Sequence, residues 1–364
     1  MPAMPAWKDD PAVVGCDHRP DPRDRPDPRA RSAADILRWS RSLLDPALRD
    51  AVAAMPETAR RVAEYHFGWR DERGRPAEGP AGKAVRPALA MLAARAAGGT
   101  ADAALPAAVA VELAHNFSLL HDDVMDGDTT RRHRPTAWTV FGTNAAVLAG
   151  DALLAAAYEV LAAGDSPAVA HGVRVLARSV LDLVEGQFAD LAFEDRTDVA
   201  LDECLAMANR KTGSLMGAAC ALGALYGGAS AAGAARMRTF GEQVGLAFQL
   251  ADDLLGIWGD PAATGKPVHS DLRNRKKSLP VVAALTSGTP AGAELAALYF
   301  KDGPLTGDDT ARAAELIETS GARAWAAAHA DTLLVAARTE LAGAAPDAAA
   351  EILTLVRMTT RRDR

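Results

Sequence analysis

The stretch "HNFSLLHDDVMDGDTTRRHRPT", residues 115–136, crowds Asp122, Asp123, Asp126 and Asp128 together with no lysine among them. In a helix Asp122 and Asp126 stand four apart, so their carboxylates share one face, one turn above the other. Like charges so placed repel. The pattern points to a hard divalent cation, and Mg²⁺ suits it because that ion takes one or two carboxylates and completes its shell with water and substrate phosphate. A second pair, Asp252 and Asp253, ends another apolar run, "GLAFQLADD", and is a candidate for the opposite wall of the same metal site. One acidic helix end is as readily a solvated face, but two copies inside apolar helices weaken that plain reading.

The cations elsewhere are of a matching kind: Lys83 and Arg86 in "GKAVRP", Arg131 and Arg132, Lys211 in "RKTGSL", Lys266 in "TGKP" and Lys276 in "RKKSLP". Arginine forks and lysine point charges are what pyrophosphate oxygens require.

These residues need elements to hold them. The 364-residue chain is 49% hydrophobic with only 5% aromatics, and long Ala-rich apolar runs broken by Gly or Pro predict an all-α protein with no convincing strand. Helices are expected at about 33–52, 57–67, 83–97, 102–125, 143–162, 166–193, 198–226, 229–257, 277–287, 308–319, 321–341 and 345–359. Ser32 with Asp35 reads as a capping box opening the first. Residues 1–31, rich in Pro, Asp and Arg, read as a disordered arm, and residues 32–364 as one folded domain. Residues 71–82 and 259–276 are the two loops rich in Gly, Pro and charge.

A net charge of −7 with no basic stripe argues against a nucleic-acid partner. Cys16, Cys204 and Cys220 match no metal or disulfide spacing, which suits a reducing, cytoplasmic location. No secretory signal is expected. The longest uncharged stretch, 212–235, is rich in Ala, Gly and Ser and broken by Gly227 and Gly228, so it reads as helix packing and not as a membrane span.

Taken in order, the motifs resemble one family, the trans (E-type) isoprenyl diphosphate synthases or polyprenyl synthetases. They are GKxxRP at 82–87, HxxSLxHDDxxD at 115–126, the arginine pair 131–132, GQxxDL at 186–191, KTxxL at 211–215, FQxxDD at 248–253, GK at 265–266 and DLxxxKxSLP at 271–280. The resemblance covers about residues 33–360 and implies a bundle of long helices around a central cavity, working as a homodimer. It implies that Asp122 and Asp126, supported by Asp123, hold Mg²⁺ against an allylic diphosphate, with Asp252 and then Asp253 on the other side, three ions per site in all. It implies that Arg131, Lys211, Lys266 and Lys276 contact the allylic diphosphate, and that Lys83, Arg86, His115 and Arg132 take the phosphates of isopentenyl diphosphate. Thr212, Gln187 and Gln249 would line the reacting centre. The implied reaction is head-to-tail condensation giving a longer all-trans prenyl diphosphate.

The sequence departs from the family pattern at three places. Gly256 stands where the second motif normally ends in a third Asp, His133 replaces the Gly after the arginine pair, and Arg275 replaces the Gly before Lys276. Gly256 leaves open a catalytically weak partner subunit or scaffold; a class I terpene cyclase is the other rival, although residues 252–260 lack the glutamate its second motif needs. His121 reads as a packed or hydrogen-bonding residue. Beneath Asp122, Ser118 and Ala114 are small and Phe117 sits to one side, and an aromatic five residues ahead of the first motif resembles the short-chain members, leaving C15 and C20 products open. The Pro-rich arm followed by "YHFGW" (Tyr65 to Trp69) also resembles synthases that are cargo of encapsulin-type shells; the plain alternative is an ordinary disordered tail.

Overall fold

A computed structural model describes residues 31–79, 82–163, 166–260 and 268–360. The arm at 1–30 and Lys266 lie outside the described residues. Half of the expected capping box forms: Ser32 Oγ accepts from Asp35 N at 3.1 Å and opens α1, Ala33–Ala53, while the Asp35 carboxylate accepts from the Ser32 hydroxyl and not from its backbone N–H. Its buried Ile36, Ser40, Leu44, Leu48 and Val52, spaced by four, face the core. Then follow α2 (Glu57–His66), α3 (Val85–Ala96), α4 (Leu105–Met125), a two-stranded hairpin β1 (Thr130–Arg131) and β2 (Arg134–Pro135), α5 (Ala137–Phe141), α6 (Thr143–Ala162) and α7 (Val169–Glu194). The remainder is α8 (Leu201–Ala208), α9 (Ser214–Tyr226), α10 (Ala231–Trp258), α11 (Ser270–Arg273), α12 (Leu279–Leu285), α13 (Pro290–Tyr299), α14 (Gly307–Thr319), α15 (Ala322–Glu340) and α16 (Pro346–Thr360). The class is all-α, as its composition dictates.

Three differences from the periodicity have physical causes. The helix expected at 198–226 is split by a π-helical turn, Asn209–Gly213, where α7 passes so close that a Cβ on Gly186 would lie 2.8 Å from Lys211 Cα. Such turns shift the phase of a helix, here turning Lys211 and Thr212 toward α7 and α10. The hairpin, too short to show as a strand run, closes through Arg132 (φ 51°) and His133 (φ 61°) with Arg131 opposite Arg134. Two positive φ values in a two-residue loop are the hallmark of a type I′ turn, which usually takes Asn-Gly. The third is α13, absent from the expected helices, which starts where Thr289 caps Gly292 N and Pro290 takes the first helical position, and whose Tyr299 reaches the carbonyl of Lys276.

The left-handed backbone at His133 costs about 1 kcal/mol that glycine would not incur. His133→Gly is therefore expected to raise unfolding stability by roughly 0.5–1 kcal/mol, read from a denaturant midpoint. Turnover should stay as in the wild type.

The stretch 212–235 packs as its small residues suggest: Ser214 through Ala224 are buried, and a Cβ on Gly223 would lie 2.7 Å from the carbonyl carbon of Ala90 in α3. By length and composition alone, Asp102–Met125 and Thr143–Ala162 are apolar enough to cross a membrane, whereas the stretch 212–235 is not among such helices. The buried share of the apolar window is 72% in the first but 39% in the second, because α6 keeps an outward apolar face.

Candidate active site

The end of α4 supplies the first acidic wall. Asp126 N donates to Asp122 O at 2.8 Å, so helical geometry continues through the cap and stacks the two carboxylates. Burial pushes the Asp122 carboxyl up to about 6; Lys211 and Arg131 oppose that shift and the Asp126 charge adds to it. Asp126 is raised as well, by burial first and then by Asp190 and Asp128, against Lys211. Asp123, 1% exposed, turns inward, where Arg131 Nε donates to its Oδ1 at 2.7 Å while Oδ2 is buried without a protein partner.

The facing wall comes from α10. Adjacent helical residues point about 100° apart. Asp252 accordingly lies exposed, and Asp253 is 3% exposed and directed into the protein. Both oxygens of Asp253 have protein donors: Gln249 Nε2 at 2.7 Å and Leu279 N at 2.9 Å. Thr212 Oγ1 in turn donates to Gln249 Oε1 at 2.7 Å, making a chain from the π turn to α12. Asp253 is thus a brace for Gln249 and Thr212, a different place from the metal-ligand position expected beside Asp252.

Lys211 Nζ donates to Asp190 Oδ2 at 2.6 Å. Asp190, the Asp of GQxxDL, was not singled out from the sequence; its signal was there in the motif, but its partner lies 21 residues away. Asp190, Lys211, Thr212, Gln249, Asp253 and Lys276 line one cleft of about 40 Å³. Burial works against the charge of Lys276, but Asp253, Asp271 and Asp190 outweigh it and hold its pKa above the usual lysine range. Tyr299 Oη donates to Lys276 O at 2.8 Å. The left-handed Arg275 (φ 51°) bonds the carbonyls of Lys301 and Gly303, one at 2.8 Å. The loop thus keeps its course without the family's glycine.

Beside this cleft, Phe117, Ser118, His121, Asp122, Gln187 and neighbours from α7 line an open apolar pocket of about 180 Å³. Gln187, 5% exposed, has neither amide atom paired within the protein. His121 Nε2 donates to Val147 O at 3.0 Å and its ring lies edge-on to Phe117, 4.8 Å between centroids, so it packs and hydrogen-bonds as expected.

The third group gathers where the GKxxRP segment meets the hairpin. Arg86 Nη1 lies 3.3 Å from His115 Nε2, and a Cβ on Gly82 would meet Arg132 Nη2 at 2.6 Å, so Arg132 lies against the residue preceding Lys83. Burial and then Arg86 and Arg132 lower the His115 pKa and keep the ring neutral. Glu112 is the buried acid beneath, raised by burial against Asn116, Arg86 and Arg132.

A family model for polyprenyl synthetases matches residues 76–317, more than half of the chain. The chain belongs to this family. A (2E,6E)-farnesyl diphosphate synthase of Mycobacterium tuberculosis is 50% identical over 312 residues, 85% of this chain and 87% of that one. A geranylgeranyl diphosphate synthase of the same organism is 45% identical over 331 residues, 90% of this chain and 93% of that one. Among solved structures, a polyprenyl synthetase from Streptomyces coelicolor superposes with a TM-score of 0.86 at 44% identity, covering 90% of this chain and 99% of that chain. The chain is a trans-prenyltransferase of the short-chain class.

Within the family, Gly256 acquires a specific meaning. A Cβ placed there would lie 2.5 Å from Asp271 Cγ, so the carboxylate of Asp271 already occupies the slot a third motif aspartate would take. Asp260 lies beyond the end of α10 at Trp258 and does not fill it. Gly256→Asp is therefore expected to crowd two like charges into one space and to destabilise the protein by about 1–3 kcal/mol in a denaturant melt. Adding Asp271→Gly should recover most of that loss.

Proposed function

We propose that the protein condenses isopentenyl diphosphate head-to-tail with allylic diphosphates to give an all-trans C15 or C20 prenyl diphosphate, using Mg²⁺. The observation that carries this reading is convergence: the acidic ends of α4 and α10, the lysines of the π turn and of the loop before α12, and an apolar cavity beneath them. Asp122, Asp126 and Asp252 offer hard oxygen donors only, as Mg²⁺ prefers. Among the described residues no three ligating side chains close on one point, which fits ions whose shells are completed by diphosphate and water. When bound, Mg²⁺ supplies Lewis-acid stabilisation of the departing pyrophosphate.

In this reading Asp122 and Asp126 hold the metal side of the allylic diphosphate, with Asp252 across from them and Asp123 and Asp253 bracing. Lys211, Lys276 and Arg131 neutralise charge that develops as the allylic C–O bond breaks, and Lys266 is assigned by motif to the same task. Lys83, Arg86, His115 and Arg132 orient isopentenyl diphosphate so that its double bond attacks the allylic carbon. Thr212, Gln249 and Gln187 surround the cationic carbon, and Phe117 and Ser118 the growing tail. A carbon–carbon bond forms, pyrophosphate leaves, and a proton lost from the isopentenyl unit goes to that pyrophosphate. Exclusion of water and alignment are the main tasks of the protein.

A homodimer belongs to the same reading. On α7, Leu181 and Phe188 are 61% and 68% exposed and Val184 and Leu191 fall on the same stripe; Leu148 of α6 is 65% exposed. Exposed apolar residues so aligned mark a surface for association. Leu148→Glu combined with Leu181→Glu is expected to halve the mass found by sedimentation. Full-size particles from that variant would remove this face from the interface.

The deciding experiment incubates the protein with labelled isopentenyl diphosphate, Mg²⁺ and each of dimethylallyl, geranyl and farnesyl diphosphate, followed by chromatography of dephosphorylated products. A C15 or C20 alcohol is expected. Hydrocarbon alone would indicate a cyclase, and no conversion would indicate a partner subunit.

A further inference from the structure

Tyr65 and His66 of "YHFGW" lie at the end of α2, against the arginine hairpin. Tyr65 Oη donates to Pro135 O at 2.9 Å, and Arg134 Nη1 donates to Tyr65 O at 3.0 Å with its guanidinium over the Tyr65 ring. Between this corner and the end of α4 lies a second small cavity of about 20 Å³, bordered by His66, Asp123, Arg131, Arg132, Arg134 and Thr136. Two of its border atoms, His66 Nε2 and Asp123 Oδ2, are buried and have no partner within the protein. Asp123 is 1% exposed, and its other oxygen is occupied by Arg131 at 2.7 Å.

An unmet buried acceptor costs about 1–3 kcal/mol, more when it is charged. A cavity needs roughly 10–15 Å³ to hold a water, which this one exceeds without room for a phosphate. Burial, and then Arg132 and Arg131, keeps the His66 ring neutral, and with its proton on Nδ1 the unpartnered Nε2 is an acceptor. One water has two O–H donors for these two acceptors and two lone pairs for guanidinium N–H groups. We propose that one bound water bridges His66 Nε2 and Asp123 Oδ2, making His66 a positioning residue for the Asp123–Arg131 pair behind the first acidic wall.

The consequence follows from helix geometry. Asp123 shares its turn of α4 with Asp122, so fixing both oxygens of Asp123 fixes the rotation of that last turn, and it also fixes Arg131 at the hairpin end. Groups that hold a metal-bearing turn from behind typically change affinity by about 10- to 100-fold when removed. This functional consequence rests on the metal role proposed for the Asp122 wall; the water itself does not.

The test has two arms on the full chain. A high-resolution crystal structure of the wild-type protein is expected to show one ordered water within hydrogen-bond reach of both atoms; density for a direct contact, or none between them, would overturn the proposal. Calorimetric titration with Mg²⁺ and inorganic pyrophosphate is expected to show about tenfold weaker binding for His66→Phe, with His66→Gln, which keeps an acceptor, recovering most of it at an unchanged melting temperature. Equal binding by wild type and His66→Phe would overturn the positioning role. If His66→Phe does not fold, the crystal structure and His66→Gln still decide. Failure of the wild type to bind the probe would instead count against the metal reading.

Discussion

Asp122→Ala is expected to lower turnover by about 10³-fold while leaving the melting temperature at pH 8 unchanged or slightly higher. The loss follows from removing one of the two stacked carboxylates through which metal would meet the allylic diphosphate; deleting a single well-placed electrostatic stabiliser costs about 10²–10³ in rate, and loss of a metal contact adds to that. The stability follows from the sign of the shift. Burial raises the Asp122 carboxyl to about 6, with Asp126 adding and Lys211 opposing, so the native state prefers the protonated acid. The resulting penalty appears as pH rises from the ordinary carboxylate value through about 6 and is fully present at pH 8. Alanine removes it. A second readout separates site from fold: Mg²⁺ with pyrophosphate should raise the melting temperature of the wild type and not of the variant. Undiminished turnover would refute the metal assignment.

Phe117→Ala is expected to shift the product mixture toward chains longer by one or more five-carbon units. The ring is 7% exposed, lines the apolar cavity under Asp122 and lies edge-on to His121. One turn further from Asp122 along the same face the side chain is only Ala114, so truncating Phe117 opens room in the direction a growing tail must take. Removing a buried Phe costs roughly 3–5 kcal/mol in a closed core, and the lower end applies because one side of this ring already faces a cavity. Chromatography of the dephosphorylated products, at a temperature where the variant remains folded, reads the outcome. An unchanged distribution would take Phe117 out of the wall that sets chain length.

Much of this protein was legible without its structure, because its signals are local. Helix periodicity placed α1 and α10 within a residue or two, Ser32 announced the first cap, and the carboxylate spacing at Asp122 and Asp126 survives unchanged because i and i+4 meet in any α-helix. The small residues of 212–235 foretold close packing, and Gly223 against α3 bears that out. The family could be read from the order of its motifs alone.

What the sequence could not reveal involves residues that meet only after packing. Asp190 becomes the partner of Lys211 because the close pass at Gly186 throws the helix into a π turn, and no period in the sequence announces that. Asp253 reads like Asp252 in the motif, yet the packing of α10 against α12 turns it onto Leu279 N, while Gln249, one turn back on the same helix, holds its other oxygen. The missing aspartate at 256 looks like a deficit until Asp271 arrives from α11 to fill the slot. The sequence by itself determined the helices, the acidic faces and the chemistry those residue types can support, since these follow from spacing along a single element. Only the tertiary structure decided which carboxylate faces the cleft, which one braces, and which histidine stands behind the last turn of α4, since those depend on how far apart and at what angle separate helices come to rest.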